Sequence, residues 1–211
     1  MWRVMLVGAC VVGLLSLDAL AANYVPLSVT LDGKTGATHQ SKAGALSGAD
    51  QLLVSETYFS YWSMQDFTAT ALAQSTLTDT SITLHAKTGG PGQYNDMNGE
   101  DPRATATVVF RLGAGAQLTW SGAPGISYWD SIGLTGPDGK GVILDVLEPM
   151  PVPAGDYTFW VSAWMGPDHS MSAYGDTEGT LQIVPEPGGM VAVLAGAIPV
   201  LLRRARRRAG V

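Results

Sequence analysis

A polar stretch near the middle of the chain carries several oxygen-bearing side chains within six residues of one another. These residues are Asp96, Asn98, Glu100 and Asp101. Calcium takes carboxylate and amide oxygens from alternating positions of a tight loop, and Asp-x-Asn-x-Glu supplies them. The closing glutamate of an EF-hand is missing. The pattern supports a calcium hypothesis, with an ordinary solvated acidic turn as the alternative, and no other cofactor is expected.

Nucleophilic and zinc chemistry have no local sequence signature in this chain. There is no Gly-x-Ser-x-Gly, Ser-x-x-Lys, His-Glu-x-x-His or Cys-x-x-Cys motif. His39, His85 and His169 are present, but nothing near any of them favours one as a catalytic base. A catalytic triad could still be assembled from distant residues, so a hydrolase remains the least favoured alternative.

Aromatic side chains suggest a second kind of site. In the segment 157–164, alternation places Tyr157 and Phe159 on one face and Trp160 and Trp164 on the other. If the first face is the core, the two tryptophans lie outside, about 13 Å apart along a strand. Exposed flat rings of this kind stack on sugars. Burial of both tryptophans under a loop or second layer is the alternative, because tryptophan is mostly buried.

Short alternating segments separated by turns predict an all-β domain. Clear alternation occurs in 81–87, 104–112 and 157–164, and Gly136 to Gly139 has the composition of a hairpin turn. We predict a loop over 34–50, leave 66–77 open between helix and strand, and expect both faces of 51–64 to be partly covered. With 26 glycines and no long helix expected between the two ends, the pattern favours a single β-sandwich or jelly-roll-like domain.

The N-terminus has the form of an export signal. Arg3 precedes an apolar stretch over 5–17, and Ala19-Leu20-Ala21 is a small-x-small cleavage sequence. Cleavage after Ala21 or Ala22 predicts a signal peptide over 1–22, removed by signal peptidase after passage through the general export machinery. The single cysteine, Cys10, lies within this segment, so the exported part has no thiol.

The segment 23–184 is strongly acidic. Of the 12 basic and 18 acidic residues, six basic and two acidic ones lie in the terminal segments, which leaves a net charge near −10. Like charges repel, so this surface argues against nucleic acid or anionic lipid as a partner.

Three features follow in fixed order at the C-terminus. Val184 precedes Pro185-Glu186-Pro187, after which 188–202 contains no charged residue. The chain then carries five arginines: Arg203, Arg204, Arg206, Arg207 and Arg208. As a helix the apolar stretch would extend about 22 Å, short of the roughly 30 Å hydrocarbon core. The arginines predict a cytoplasmic end, which places the preceding domain outside.

This ordered tail, 185–211, resembles the sorting tail of PEP-CTERM proteins. The resemblance implies that an exosortase, a membrane-embedded cysteine transpeptidase-like enzyme, reads the motif and processes the chain. It also implies a Gram-negative host that makes exopolysaccharide. An ordinary tail anchor, or a buried core helix with a basic end, is the alternative.

Together these features predict an exported, non-catalytic surface or extracellular-matrix protein. Its precursor would be held in the inner membrane with a periplasmic domain, and processing would then pass the product to the cell surface or matrix. An exopolysaccharide-binding module of the same fold is the first alternative.

Overall fold

The computed structural model describes residues 24–36, 38–60, 64–90, 102–113, 116–123, 130–142, 149–164 and 174–185. All regular secondary structure in these ranges is β-strand. In chain order the strands are β1 (Val25–Thr35), β2 (Thr38–Ala43), β3 (Gly48–Ser60), β4 (Gln65–Leu77), β5 (Ser81–Gly89), β6 (Arg103–Leu112), β7 (Ala116–Ala123), β8 (Ser131–Thr135), β9 (Gly141–Val142), β10 (Met150–Val152), β11 (Gly155–Trp164) and β12 (Asp176–Pro185).

The strands form two six-stranded antiparallel sheets. Sheet I has the order β2-β1-β6-β11-β8-β9, and sheet II has the order β10-β7-β12-β5-β4-β3. Strict alternation along β5, β6 and β11 turns every second side chain inward, where the two sheets share one apolar cluster. The all-β sandwich expected from the sequence is therefore confirmed in its architecture.

Successive strands pass repeatedly between the sheets. From β5 to β12 each strand lies in the sheet opposite its predecessor, apart from the β8–β9 hairpin. The first four strands extend both sheets: the β1–β2 hairpin pairs with β6, and the β3–β4 hairpin pairs with β5. Neighbours in each sheet thus come from distant parts of the chain.

Aromatic rings occupy the centre of the sandwich. Phe110 lies between Tyr157, stacked at 5.7 Å between ring centroids, and Tyr24, edge-on at 5.7 Å. The Tyr157 hydroxyl donates to the Pro153 carbonyl at 2.8 Å, and the Tyr24 hydroxyl donates towards the carbonyls at the β4–β5 turn. Each phenol therefore buries its ring while its polar end keeps an acceptor.

The predicted loop over 34–50 is wrong. β1 continues to Thr35, the chain reverses at Gly36 with φ of +53°, and β2 returns paired with β1. β2 is an edge strand with no buried side chain, so its residues carry no alternating apolar pattern. Sequence periodicity depends on one buried face, which this strand lacks.

The structure also decides the expectations for segments 66–77 and 51–64, which form neighbouring strands of sheet II. The ambiguous segment 66–77 is strand β4, whose inward alanines, at 69, 71 and 73, pack under the sandwich. The expectation that both faces of 51–64 are partly covered is wrong for β3, because Leu53 is 57% exposed and Phe59 is 44% exposed. β3 is the edge of sheet II, and its outer face has no second layer among the described residues.

The turn expected at Gly136 to Gly139 is confirmed. The Gly139 amide donates to the Gly136 carbonyl at 3.0 Å, and Gly139 adopts φ of +73°, which glycine tolerates without strain. Among the described residues, β10 lies at the other edge of sheet II and pairs with β7 alone.

Replacing Thr177 by valine is expected to stabilise the domain. The Thr177 hydroxyl is buried and has no hydrogen-bond partner among the described residues. An unsatisfied buried hydroxyl costs about 1–3 kcal/mol, so its removal should raise the free energy of unfolding by about 1 kcal/mol and the Tm by about 2–4 °C. Calorimetry or urea unfolding measures both quantities.

Thr88→Val is the matched control. Thr88 is equally buried, on the neighbouring strand, but its hydroxyl accepts from the Gly175 amide at 3.0 Å. This substitution leaves a buried amide unsatisfied and should lower the Tm. Equal destabilisation by both valines would contradict the assignment of Thr177 as unsatisfied.

Candidate functional site

The first two residues of the predicted sorting motif, Val184 and Pro185, are the last residues of β12. Val184 pairs with Gln117 and Pro185 with Ala116, the last pair of β12. The rest of the predicted tail, the signal-peptide residues and the acidic loop lie outside the described residues. They are Ala19, Ala21, Ala22, Asp96, Asn98, Glu100, Asp101, Glu186, Pro187, Arg203, Arg204, Arg206, Arg207 and Arg208.

Trp160 and Trp164 lie on the outer face of sheet I, opposite the core-facing residues of β11, and both are half-buried. The Trp160 indole covers Gly133 on the adjacent strand: a Cβ atom placed at Gly133 would lie 2.4 Å from Cζ2 of the ring. The Trp164 amide donates to the Asp130 carboxylate at 3.0 Å. The ring of Trp160 therefore lies against the backbone of a glycine instead of standing free.

The outer face of sheet II carries a hydrogen-bonded chain of polar side chains across four strands. Gln74 Nε2 donates to Gln51 Oε1 at 3.0 Å, and Gln74 Oε1 lies 3.0 Å from His85 Nδ1. His85 Nε2 lies 2.7 Å from Asp176 Oδ1, and Lys87 Nζ donates to Asp176 Oδ2 at 2.7 Å. We call these five residues the polar network.

Strand register explains how the network forms. Gln51 opposes Gln74 across β3 and β4, and Gln74 opposes His85 across β4 and β5. Asp176 of β12 opposes Lys87 and lies diagonally from His85. Since directly opposed side chains on one face lie within about 5.5 Å, antiparallel pairing is sufficient to bring these groups into contact.

Charge in the network is balanced locally. Burial alone would raise the pKa of Asp176, but hydrogen bonds from Lys87 and His85 outweigh it and lower the pKa. The same hydrogen bond and the negative charge of Asp176 raise the pKa of Lys87. The carboxylate and the ammonium are consequently held in their charged forms, and the pair adds little net charge to the face.

A shallow groove of about 380 Å³ runs along this face. Residues 49–51 of β3, 74–76 of β4, Thr83 and His85 of β5, and Glu178 of β12 line it. Thr83 and Thr180, the next outward-facing pair along β5 and β12, form a hydrogen bond between their hydroxyl oxygens at 2.9 Å. Glu178 is exposed, opposes His85, and makes no hydrogen bond to another described residue, so its carboxylate oxygens are open to a ligand.

The network has a carboxylate beside an imidazole, yet its geometry is poor for general-base catalysis. A catalytic histidine needs one ring nitrogen oriented by a carboxylate and the other directed at the nucleophile or substrate. Here Nε2 of His85 is hydrogen-bonded to Asp176 and Nδ1 to Gln74, so neither ring nitrogen is left to act on a substrate in the groove. The arrangement is suited to holding side chains in place.

Sequence reasoning did not single out His85 from the other two histidines. Alternation in 81–87 does place His85 and Lys87 on one face, but Asp176 is 91 residues from His85 in sequence. His39 makes a different, exposed contact with Asp32 across the β1–β2 hairpin, and His169 lies outside the described residues. The pairing of β5 with β12, which brings His85 to Asp176, is what distinguishes His85 from His39.

Two kinds of feature are absent from the described ranges. There, no group of three or more His, Cys, Asp or Glu side chains could hold a metal ion. Over the same residues, no helix is long and apolar enough to cross a bilayer.

Comparison with known proteins adds no relative. No family model, curated protein or solved structure matches the sequence. The site and the fold must therefore be interpreted from this chain alone.

Proposed function

We propose that this chain is an exported, non-catalytic surface or matrix protein whose C-terminal tail is read by an exosortase. Signal peptidase would remove 1–22, and the inner membrane would hold the precursor by 188–202 until processing. The exported sandwich would then reach the cell surface or the extracellular matrix of a Gram-negative cell.

One observation carries this proposal: the order of Pro185-Glu186-Pro187, an uncharged apolar stretch and five arginines at the C-terminus. Proline lacks an amide hydrogen and restricts the preceding residue to extended backbone, so the motif stays accessible to a peptidase. About 22 Å of helix anchored by arginines would keep it near the outer membrane surface.

The domain itself supports a binding or structural role. The passage of strands between the sheets from β5 to β12 is the connectivity of a jelly roll, a scaffold common among lectin and capsid domains. Both ring nitrogens of His85 are engaged, which supports a non-catalytic role over a hydrolase. Fold alone does not define function, so the ligand must be inferred from the surface.

Processing at the tail is the test. In cells with the exosortase, mass spectrometry of the protein should show a mature product that ends at or next to Pro185-Glu186-Pro187. In cells without the exosortase, the precursor should retain Arg203 to Arg208. Retention of these arginines in exosortase-positive cells would show a permanent anchor and would contradict the proposal.

Glu186→Ala tests the motif separately from the helix. The variant should insert in the membrane normally but be processed more slowly, because the apolar stretch and arginines are unchanged. Glu178→Ala, the same substitution within β12, is the control and should be processed like the wild type. Normal processing of Glu186→Ala would mean that helix and arginines alone carry the signal.

Carbohydrate binding through Trp160 and Trp164 is the second candidate function. The observation that favours it is that both rings lie on the outer face of sheet I without being fully buried. The ring of Trp160, supported by Gly133, offers an edge and part of a face to a sugar.

A further inference from the structure

We propose that the groove on the outer face of sheet II binds an uncharged polysaccharide chain. Gln51, Gln74 and Glu178 would hydrogen-bond to its hydroxyl groups, and the Leu53–Leu72 pair would contact its C–H surface. This inference goes beyond sorting, does not depend on the tail, and places the ligand on the sheet opposite Trp160.

The first argument is preorganisation. Long polar side chains such as glutamine and lysine lose rotamer freedom when a ligand immobilises them, and this loss opposes binding. Here Gln74 is already held by Gln51 on one side and His85 on the other, and Asp176 is held by Lys87 and His85. The face is fixed before binding, which lowers the entropic cost of recognising a weakly interacting chain.

Hydrogen-bonding capacity remains after these internal bonds. A glutamine amide offers two donor hydrogens and two acceptor lone pairs, and Gln74 uses one of each within the network. Gln51 keeps its amide hydrogens, and Glu178 keeps its carboxylate oxygens. A hydroxyl both donates and accepts, so a surface offering both functions side by side suits a polyhydroxylated ligand.

An apolar strip adjoins the polar network. Leu53 and Leu72 oppose each other one row along from Gln51 and Gln74, on the same outer face. Leu53 is 57% exposed. Sugar rings carry C–H groups beside their hydroxyls, so an amphipathic surface matches both parts and would remove Leu53 from water on binding.

The negative charge of the protein favours an uncharged polysaccharide as the ligand. The segment 23–184 carries a net charge near −10, and Glu178 pairs with no cation among the described residues. Asp50, at the β3 end of the groove, is neutralised by Lys42 at 2.6 Å. An anionic polysaccharide or a nucleic acid would meet repulsion at Glu178. Three of the four strands that line the groove, β4, β5 and β12, are paired on both sides, and β3 is the edge of sheet II.

The dimensions suit a chain. From β3 to β12 the network crosses three strand spacings, roughly 14 Å. The adjoining groove of about 340 Å³, lined by Ser121, Gly122, Asp176, Glu178 and Thr180, continues this path with Glu178 shared between the two. An extended oligosaccharide could therefore contact both grooves at once.

Affinity electrophoresis of the full chain tests the proposal. Gels would contain a soluble uncharged β-glucan, an uncharged galactomannan, or the anionic polysaccharide alginate. At least one uncharged polysaccharide should retard the wild type, and alginate should not. Glu178→Gln and Gln74→Ala should each weaken retardation, with the double variant about tenfold weaker or more.

Thr158→Ala, on the outer face of sheet I, is the control and should be retarded like the wild type. Because Glu178 is exposed, Glu178→Gln should keep the wild-type Tm, so a loss of retardation in it cannot come from unfolding. The imidazole ¹H–¹⁵N resonances of His85 should also shift when the retarding polysaccharide is added.

Three results would overturn the proposal. These are no retardation by either uncharged polysaccharide, retardation by alginate alone, and loss of retardation in Trp160→Ala while Glu178→Gln and Gln74→Ala bind normally. The last would place binding on sheet I. None of them would affect the sorting proposal, which depends on the tail.

Discussion

Phe110→Ala is expected to lower the free energy of unfolding by about 3–5 kcal/mol, the range measured for removal of a buried phenylalanine. Phe110 is fully buried, stacks on Tyr157 and meets Tyr24 edge-on. The substitution leaves a cavity and breaks both ring contacts, each worth about 0.5–1.5 kcal/mol. The Tm should fall by roughly 6–20 °C, measured by calorimetry on residues 23–184.

Val109→Ala is the matched control. Val109 neighbours Phe110 on β6, faces outward and is only half-buried. Its truncation removes less buried apolar surface and should cost about 1 kcal/mol or less. A similar Tm for both variants would mean that the packed rings of Tyr24, Phe110 and Tyr157 do not stabilise the sandwich.

Alkaline pH is expected to destabilise the domain through Tyr24. Burial raises the pKa of Tyr24 to about 12, and the nearby charge of Asp79 adds to the shift. The phenol is neutral when folded, with its hydroxyl 2.8 Å from the Thr78 carbonyl and 3.0 Å from the Ser81 carbonyl. A phenolate could not donate to either carbonyl.

The direction in which pH changes the stability follows from proton linkage. Between pH 10.0, where the unfolded tyrosine ionises, and about 12, the unfolded state binds fewer protons than the folded state. Stability is therefore fully present below pH 10.0 and falls as pH rises towards about 12, by roughly 2–3 kcal/mol. Urea unfolding at about pH 9 and about pH 11 would measure roughly half of this loss, because the remainder is lost as pH rises from about 11 to above about 12.

Tyr24→Phe separates this effect from general alkaline denaturation. The variant should be less stable at neutral pH by about 0.5–1.5 kcal/mol, because the hydroxyl's hydrogen bond is lost. Its stability should fall less between about pH 9 and about pH 11 than that of the wild type. Exposed Tyr174→Phe serves as the control, with an unchanged slope; an unchanged slope in Tyr24→Phe would refute the assignment.

Strands with one buried face were predictable from the residues. β5, β6 and β11 alternate because nearly all their inner side chains are apolar, whereas most outer ones are polar, apart from Val109, Trp160 and Trp164. Their residues therefore show a period of two. The turn at Gly136 to Gly139 was equally readable, since proline and glycine there meet specific backbone requirements.

Strands β2 and β4 were not predictable in the same way. β2 has no buried side chain and is held by backbone pairing with β1, which depends on few sequence features. β4 carries small alanines where a helix was equally plausible, and only its pairing with β3 and β5 decides for a strand. Pairing partners supply these hydrogen bonds, and local propensity does not identify partners.

By itself, the sequence determined the alternating core strands, the acidic character of residues 23–184, and the ordered tail from which sorting is proposed. Each is a local property of consecutive residues. Only the tertiary structure decided which strands are neighbours, and therefore that His85 contacts both Gln74 and Asp176 on the outer face of sheet II. Such a network depends on cross-strand register between distant segments, and register is set by burial of one face of the whole sheet, which no single segment encodes.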